Sequence, residues 1–355
     1  MFLFKKVKKT FKKEVLTHKR NYTRSIQMKR TPMKIKKIKI NNYKLFKDFE
    51  INFMDSLNKP LDLIVIAGIN GSGKTTLFDF IVNMAKNNDR RKGNIYLTKD
   101  INPNKIIYLR VSNNEKDNII SQIKNFIDMI KDNNEDLTIK EANQKARDEI
   151  NSLFDGLVLK TKFKGISKDI ERDILFENDI KDTIKLDELS TGEQQLFIRA
   201  LSLKMMGLQK SIILIDEPEI FLHPNWQNHI LRVYQNIAKD GDNQLIIATH
   251  SPQIISSAPN ESLRVLVKDG IYVEVKEIEK SYGVEIEEVL LDFMDTQYLR
   301  TPKIAKDIQL MWEHINNKDI KNFETIYNKL VEILDINDKD LVLARLEKVR
   351  VLHLK

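Results

Sequence analysis

Eight residues constrain this chain more than any others: Gly68-Ile69-Asn70-Gly71-Ser72-Gly73-Lys74-Thr75, a complete G-x-x-x-x-G-K-[ST] pattern. An apolar run, Leu63-Ile64-Val65-Ile66-Ala67, precedes it, and a helix-like stretch, Thr76-Leu77-Phe78-Asp79-Phe80-Ile81-Val82, follows. A continuous apolar strand of this kind belongs inside a parallel sheet, so an α/β fold is expected. The glycines let backbone N–H groups turn toward phosphates, and the helix N-terminus adds positive potential. At this spacing the lysine reaches the β- and γ-phosphates, and the threonine hydroxyl ligates Mg²⁺. The pattern therefore predicts a nucleoside triphosphate site built on Lys74 and Thr75.

Composition sets the outer bounds. A length of 355 residues suggests about two domains, or one large α/β domain with an insert. No cysteine is present, which excludes a disulfide framework and a thiolate metal site and fits a reducing cytoplasm. No run approaches the ~18 apolar residues of a membrane span. The first residues, Met1-Phe2-Leu3-Phe4-Lys5-Lys6, lack the long apolar segment of a signal peptide. The net charge of +8 is uneven: residues 1–39 carry fifteen Lys/Arg against Glu14, so the remainder is net acidic by six. Overall basicity is thus a poor argument for nucleic-acid binding by the folded body.

The basic tail, residues 1–32, supports three readings. Phe4, Val7, Phe11 and Val15 fall at helical spacing among lysines, as in an amphipathic helix that lies on membranes or phosphates. The same residues suit a disordered basic arm. Alternatively, Met33 opens the first strand, and the tail is an upstream extension without a role in the fold. From 33 to 67 the pattern is β, with Ile35, Ile38 and Ile40, then alternation at Phe49, Ile51 and Phe53. Residues 83–105 read as polar and irregular, and Ile106–Leu109 as a short strand. A helical insert is expected over about 113–152, where Ile119, Ile120, Ile123, Phe126, Ile127 and Ile130 recur at helical spacing. The region 281–355 reads as helical, with apolar faces Ile286/Val289/Leu290/Phe293, Ile304/Ile308/Trp312 and Phe323/Ile326/Leu330/Ile333.

Three further segments carry chemistry. Ser211-Ile212-Ile213-Leu214-Ile215-Asp216-Glu217-Pro218 is a buried strand ending in two acids. An Asp at such a strand end can hold Mg²⁺, and a Glu just after it can act as general base on water. Leu189-Ser190-Thr191-Gly192-Glu193-Gln194-Gln195 places a capping box, Ser190-x-x-Glu193, at the start of a helix. Leu245-Ile246-Ile247-Ala248-Thr249-His250-Ser251-Pro252 is a third strand ending in polar residues.

With these motifs in this order, residues 33–280 resemble an ABC-type ATPase head of the SMC/RecF/OLD kind. The resemblance implies a mixed sheet with antiparallel N-terminal strands, and ATP and Mg²⁺ as ligands. It places Asn70, Gly71, Ser72, Gly73, Lys74, Thr75 and Thr76 on ATP, Thr75 and Asp216 on the metal, and Glu217 and His250 in catalysis. Ser190, Thr191, Gly192 and Glu193 match the family signature, usually L-S-G-G-E/Q-x-Q, with Thr191 departing at its first glycine. Glu219-Ile220-Phe221-Leu222-His223-Pro224 resembles the dimer-contact loop. His223 and His229 have no evident partners and read as other than metal ligands. Candidates for the Q-loop are Arg110–Ser112 or Gln122.

In this family the signature of one protomer caps ATP held by another, which implies a head-to-tail homodimer or higher homo-oligomer. Residues 281–355 read as a small helical cap or a module that docks a second copy or a partner, and since no nuclease motif follows the head, any effector activity is expected in another chain. This arrangement resembles the stand-alone ATPases of anti-phage defence systems, which implies a separate effector, an HNH-type nuclease or a retron component. The competing reading is a RecF-like repair ATPase that binds DNA or RNA directly; DNA-stimulated, salt-sensitive hydrolysis would mark it. A third is a scaffold locked by ATP that barely turns over. Membrane transport fits least.

Overall fold

The computed structural model describes residues 32–109, 116–134, 136–167, 173–270, 272–277, 282–292 and 300–353. The tail 1–31, the Arg110–Ser112 segment and Phe293 lie outside them. Backbone contacts divide the chain into two units, Met1–Ile286 and Glu287–Lys355.

In chain order the first unit holds β1 (Ile35–Tyr43), β2 (Phe46–Asn52), β3 (Leu63–Ala67), α1 (Lys74–Asn87), β4 (Gly93–Leu97) and β5 (Ile106–Leu109). There follow α2 (Lys116–Asp132), α3 (Ile139–Ser152), β6 (Thr161–Ile166), β7 (Ile174–Asn178), β8 (Thr183–Lys185) and α4 (Thr191–Met205). The unit continues through β9 (Ile212–Asp216), α5 (Pro224–Asp240), β10 (Gln244–Thr249), α6 (Pro252–Ser257), β11 (Leu263–Asp269) and β12 (Tyr272–Glu277). Helix α7 (Ile286–Asp292) crosses the boundary between the units. The second unit adds α8 (Pro302–Asn316), α9 (Ile320–Val331) and α10 (Lys339–His353).

The main sheet has the order β12-β11-β3-β10-β9-β5 and is parallel except at β12. Strands β3, β9 and β10 are continuous apolar runs because both faces are covered. A second sheet, β2-β1-β4, is antiparallel throughout. Mixed sheets with antiparallel N-terminal strands are thus present, as the sequence implies. Residues 83–105 depart from the irregular reading: Gly93–Leu97 is a strand, made extended by pairing along the free edge of β1. Ile35 and Ile38 are both buried although three apart, because the β1–β4 register shifts between Ile35 and Lys37.

Helix α1 contributes Leu77, Phe78, Phe80 and Ile81 to one buried cluster with residues of both sheets, among them Ile38, Ile40, Phe46, Ile64, Ile66, Leu214 and Ile246. The side chain of Gln244 ties the sheets together inside this packing. Its Oε1 accepts from Ile35 N (2.7 Å), and its Nε2 donates to Ile35 O (2.9 Å) and Leu61 O (2.8 Å). A third sheet, β6-β7-β8, is small and antiparallel, and was not anticipated from the sequence.

The second unit packs Ile308, Met311, Ile315, Phe323, Leu330, Leu341 and Ala344 together. Ile333 falls off the expected apolar face and is exposed, because α9 ends at Val331.

Candidate functional site

Strands β3, β10 and β9 are neighbours and run parallel, so their C-terminal ends open at one edge of the sheet. Thr249 stands opposite Ala67, and Ala248 opposite Asp216. The glycine-rich loop, the Asp216-Glu217 pair and His250 therefore leave the sheet side by side. This is where ligands enter open α/β sheets in general.

The loop ends at Gly73, the residue preceding α1, with φ of 104°. A Cβ there would stand 2.8 Å from Leu45 Cδ1 and 2.9 Å from Phe46 Cζ. No side chain caps α1, and its first turn holds no acid. Its leading N–H groups and positive potential are thus open to an anion. The buried Ser72 Oγ has no hydrogen-bond partner. Lys74 is itself buried, and its Nζ donates to the carbonyls of Gly68 (2.6 Å) and Ile69 (3.0 Å). Burial pulls the Lys74 ammonium below its ordinary pKa, while the charges of Glu217, Asp216 and Glu219 pull against that shift. Asn70, Gly71 and Thr75 are exposed, and Thr76 is half-buried.

Thr75 Oγ1 donates to Asp216 Oδ2 at 2.8 Å, and the Tyr108 hydroxyl donates to the same oxygen at 2.9 Å. Asp216 Oδ1 is buried with no hydrogen-bond partner. A hydroxyl touching a carboxylate that keeps one unspent oxygen is a hard, all-oxygen donor set, which fits Mg²⁺. Among the described residues no cluster of three His, Cys, Asp or Glu could hold a metal. A cation here would complete its shell with water and phosphate oxygens, as Mg²⁺ commonly does.

Glu217 adopts a left-handed backbone (φ 49°), and its N–H donates to Ala248 O at 2.9 Å. His250 Nδ1 lies 3.2 Å from Glu217 Oε1 and 3.4 Å from Glu219 Oε1. These are ion-pair distances, but neither contact has the direction of a ring hydrogen bond. Glu219 is buried, and its Oε1 accepts from Thr249 Oγ1 (2.6 Å), His250 N (2.8 Å) and Ser251 N (3.1 Å).

The signature residues hydrogen-bond among themselves and to β6. Ser190 caps α4 by accepting from Glu193 N (3.3 Å), and its hydroxyl donates to Glu193 Oε2 (2.8 Å). Glu193 Oε1 accepts from Thr161 on β6 at 3.1 Å. Gly192 packs so closely that a Cβ would lie 2.8 Å from the Phe221 carbonyl oxygen. Among the described residues, Ser190, Thr191, Gly192 and Glu193 make no hydrogen bond to the loop 68–76. One chain thus brings Lys74, Thr75, Asp216, Glu217 and His250 together, and the signature residues make no hydrogen bond to the loop among the described residues.

Two family models cover these elements. Residues 33–146 match the "AAA ATPase domain" model, and residues 97–256 match the model described as "AAA domain, putative AbiEii toxin, Type IV TA system". Between them the two models span residues 33–256, so this stretch is similar to an AAA-type ATPase domain. The chain is similar to the Septu protein PtuA of Bacillus thuringiensis, 30% identical over 123 residues, 33% of this chain and 30% of that protein. It is similar also to the OLD nuclease of Thermus scotoductus, 32% identical over 89 residues, 24% of this chain and 17% of that protein. The chain therefore spans less than a third of the length of these relatives. The SMC head domain from Thermotoga maritima superposes with a TM-score of 0.42 at 17% identity, over 70% of this chain and 100% of that one.

Two residues of the head's strand-end cluster were missed in the sequence. Tyr108 sits inside the apolar run Ile106–Leu109, where an aromatic reads as core. Glu219 stood in the segment likened to a dimer-contact loop, yet its carboxylate turns inward to His250, while Phe221 is 57% exposed. His223 does have a partner: its Nδ1 accepts from Asn225 N at 3.2 Å and caps α5. Gln122 lines a cavity of about 340 Å³ with Leu203, Lys204, Asp240 and Asn243, none of them a strand-end residue. Among the described residues no helix is long and apolar enough to cross a membrane.

Proposed function

We propose that this chain binds ATP with Mg²⁺ and hydrolyses it to ADP and phosphate. The observation that carries the reading is the meeting of Lys74, Thr75, Asp216, Glu217 and His250 at three adjacent strand ends. Asn70, Gly71, Ser72, Gly73, Lys74, Thr75 and Thr76 would surround the phosphates, with Lys74 leaving its two carbonyl partners for the β- and γ-oxygens. Thr75 and Asp216 would hold Mg²⁺, which neutralises phosphate charge when bound. Glu217 takes the proton of a water as its oxygen bonds to the γ-phosphorus. The bond from that phosphorus to the bridging oxygen breaks, and ADP leaves. His250, beside Glu217, orients the water and contacts the γ-phosphate. The test is ATP turnover of the unaltered chain against Lys74→Ala and Glu217→Gln. Both are expected to lose hydrolysis by about 100-fold or more, Lys74→Ala with weakened ATP binding and Glu217→Gln without. A wild-type rate in Glu217→Gln would sink the base assignment.

That Ser190–Glu193 make no hydrogen bond to the loop among the described residues supports a second part of the proposal. Two copies pair head to tail, each signature closing ATP held by the other, with Gly192 and the α4 N-terminus facing the γ-phosphate. Glu217→Gln with ATP is expected to run as a stable dimer in size-exclusion light scattering. A monomer under those conditions counts against pairing.

The likeness to a Septu protein supports the third part, a regulatory or sensing role in an anti-phage complex whose effector is a separate nuclease. Residues 33–280 would form the head, and residues 281–355 a docking region. Co-expression with the proteins encoded beside it, followed by affinity purification, is expected to recover a nuclease subunit. Recovery of repair or replication proteins instead would reverse this part.

A further inference from the structure

Among the described residues Glu219 is the only acid in the buried class, at 5% exposure. A buried carboxylate is costly unless hydrogen bonds compensate it. Here the compensating hydrogen bonds come from three consecutive residues, Thr249, His250 and Ser251, all bonded to one oxygen, Oε1, and the Lys74 ammonium adds charge attraction. The second oxygen, Oε2, is buried with no partner. The carboxylate therefore fixes one feature, the turn by which β10 presents His250. Without it the His250 N–H would lose its acceptor, the Ser251 N–H would keep only Thr249 Oγ1 (2.9 Å), and the turn would be free to relax. The same Oε1 lies 3.4 Å from His250 Nδ1, with Glu217 Oε1 at 3.2 Å on the ring's other carboxylate contact. The imidazole thus stands between a buried carboxylate and a partly exposed one.

We propose that Glu219 is a positioning residue: it holds the Thr249–Ser251 turn, and through it the ring of His250, against Glu217. This rests on the hydrolytic reading of the same cluster. Glu219 is not itself placed on substrate, so its contribution passes through His250 and has a definite signature in a double-mutant cycle.

The test measures steady-state ATP hydrolysis and equilibrium ATP binding for the unaltered chain, Glu219→Gln, His250→Ala and the double variant. Gln keeps the shape and one acceptor oxygen but loses the charge. Expected is a fall in kcat of about 10- to 100-fold in Glu219→Gln, with ATP affinity within about twofold of the unaltered chain. In the His250→Ala background the second substitution is expected to cost nothing further. Full additivity of the two losses overturns the inference, as does an unchanged kcat in Glu219→Gln. Thr249→Val, which removes the hydroxyl that donates to Glu219 and accepts from Ser251 N while leaving the carboxylate, reads the same link if Glu219→Gln folds poorly. Its expected loss in kcat must also vanish in the His250→Ala background, and persistence there overturns the inference. Absence of hydrolysis in the unaltered chain overturns the parent reading, and this inference with it. Normal hydrolysis together with an indifferent Glu219→Gln overturns this inference alone.

Discussion

Gly73 carries two constraints at once. Its φ of 104° is open to glycine and strained for other residues, and the space a Cβ would take is held by Leu45 and Phe46. Gly73→Ala is expected to destabilise the first unit by about 1–3 kcal/mol and to displace the loop. Equilibrium ATP binding and a urea transition check the two effects separately. At this scale, legibility depended on whether a residue's type and spacing were themselves the signal. Lys74 and Thr75 follow a spaced glycine pattern, and Asp216 and Glu217 end an apolar run. Tyr108 and Glu219 gave no such sign. Tyr108 meets Asp216 only because β5 pairs with β9, and Glu219 meets His250 only because β9 pairs with β10. Those pairings are long-range facts that no local pattern contains.

At the scale of elements, the start of α4 shows one segment meeting two demands. Ser190 and Glu193 satisfy the orphan N–H groups of the helix as a reciprocal box, and Glu193 also accepts from β6. Ser190→Ala is expected to cost about 1 kcal/mol in a urea transition. If the same hydroxyl also closes a partner's ATP, turnover falls by far more than that loss explains, while ATP binding to the monomer is unchanged. Elements with strong periodicity were readable: α2, α8 and α9 each fall where apolar residues recur at helical spacing. The sheet β6-β7-β8 was not, because its strands are three to six residues long and studded with lysine and glutamate. Strand β4 was hidden because it is only five residues long and opens on Gly93-Asn94, and it owes its conformation to the edge of β1.

At the scale of the whole molecule, the second unit has its own core and its own tie. Arg300, ahead of α8, reaches Asp338 through both terminal nitrogens (2.8 and 2.9 Å) and Asp340 at 2.8 Å, ahead of and within α10. Burial pushes the Asp338 carboxyl up, but the Arg300 guanidinium and backbone N–H groups outweigh it and hold its pKa below the ordinary 3.8. A lowered carboxylate pKa stabilises the fold above its ordinary value, and that contribution is lost as pH falls through the lowered one. Arg300→Gln is expected to cost the second unit about 1 kcal/mol near neutral pH, since the pair is partly solvated. The gap to the unaltered chain narrows as pH drops below 3.8. Trp312, which belongs to this unit, reports the transition by fluorescence in a Trp226→Phe background. The main sheet has a further consequence, for the order in which the molecule is made. Among the described residues strand β3 pairs only with β10 and β11, and its Gln244 tie also comes from β10. Until about residue 250 has left the ribosome, the strand that carries the glycine-rich loop has no neighbour to pair with. The loop is translated early but assembled late, and a nascent chain stopped before Gln244 would carry every residue of the loop without a sheet to hold it.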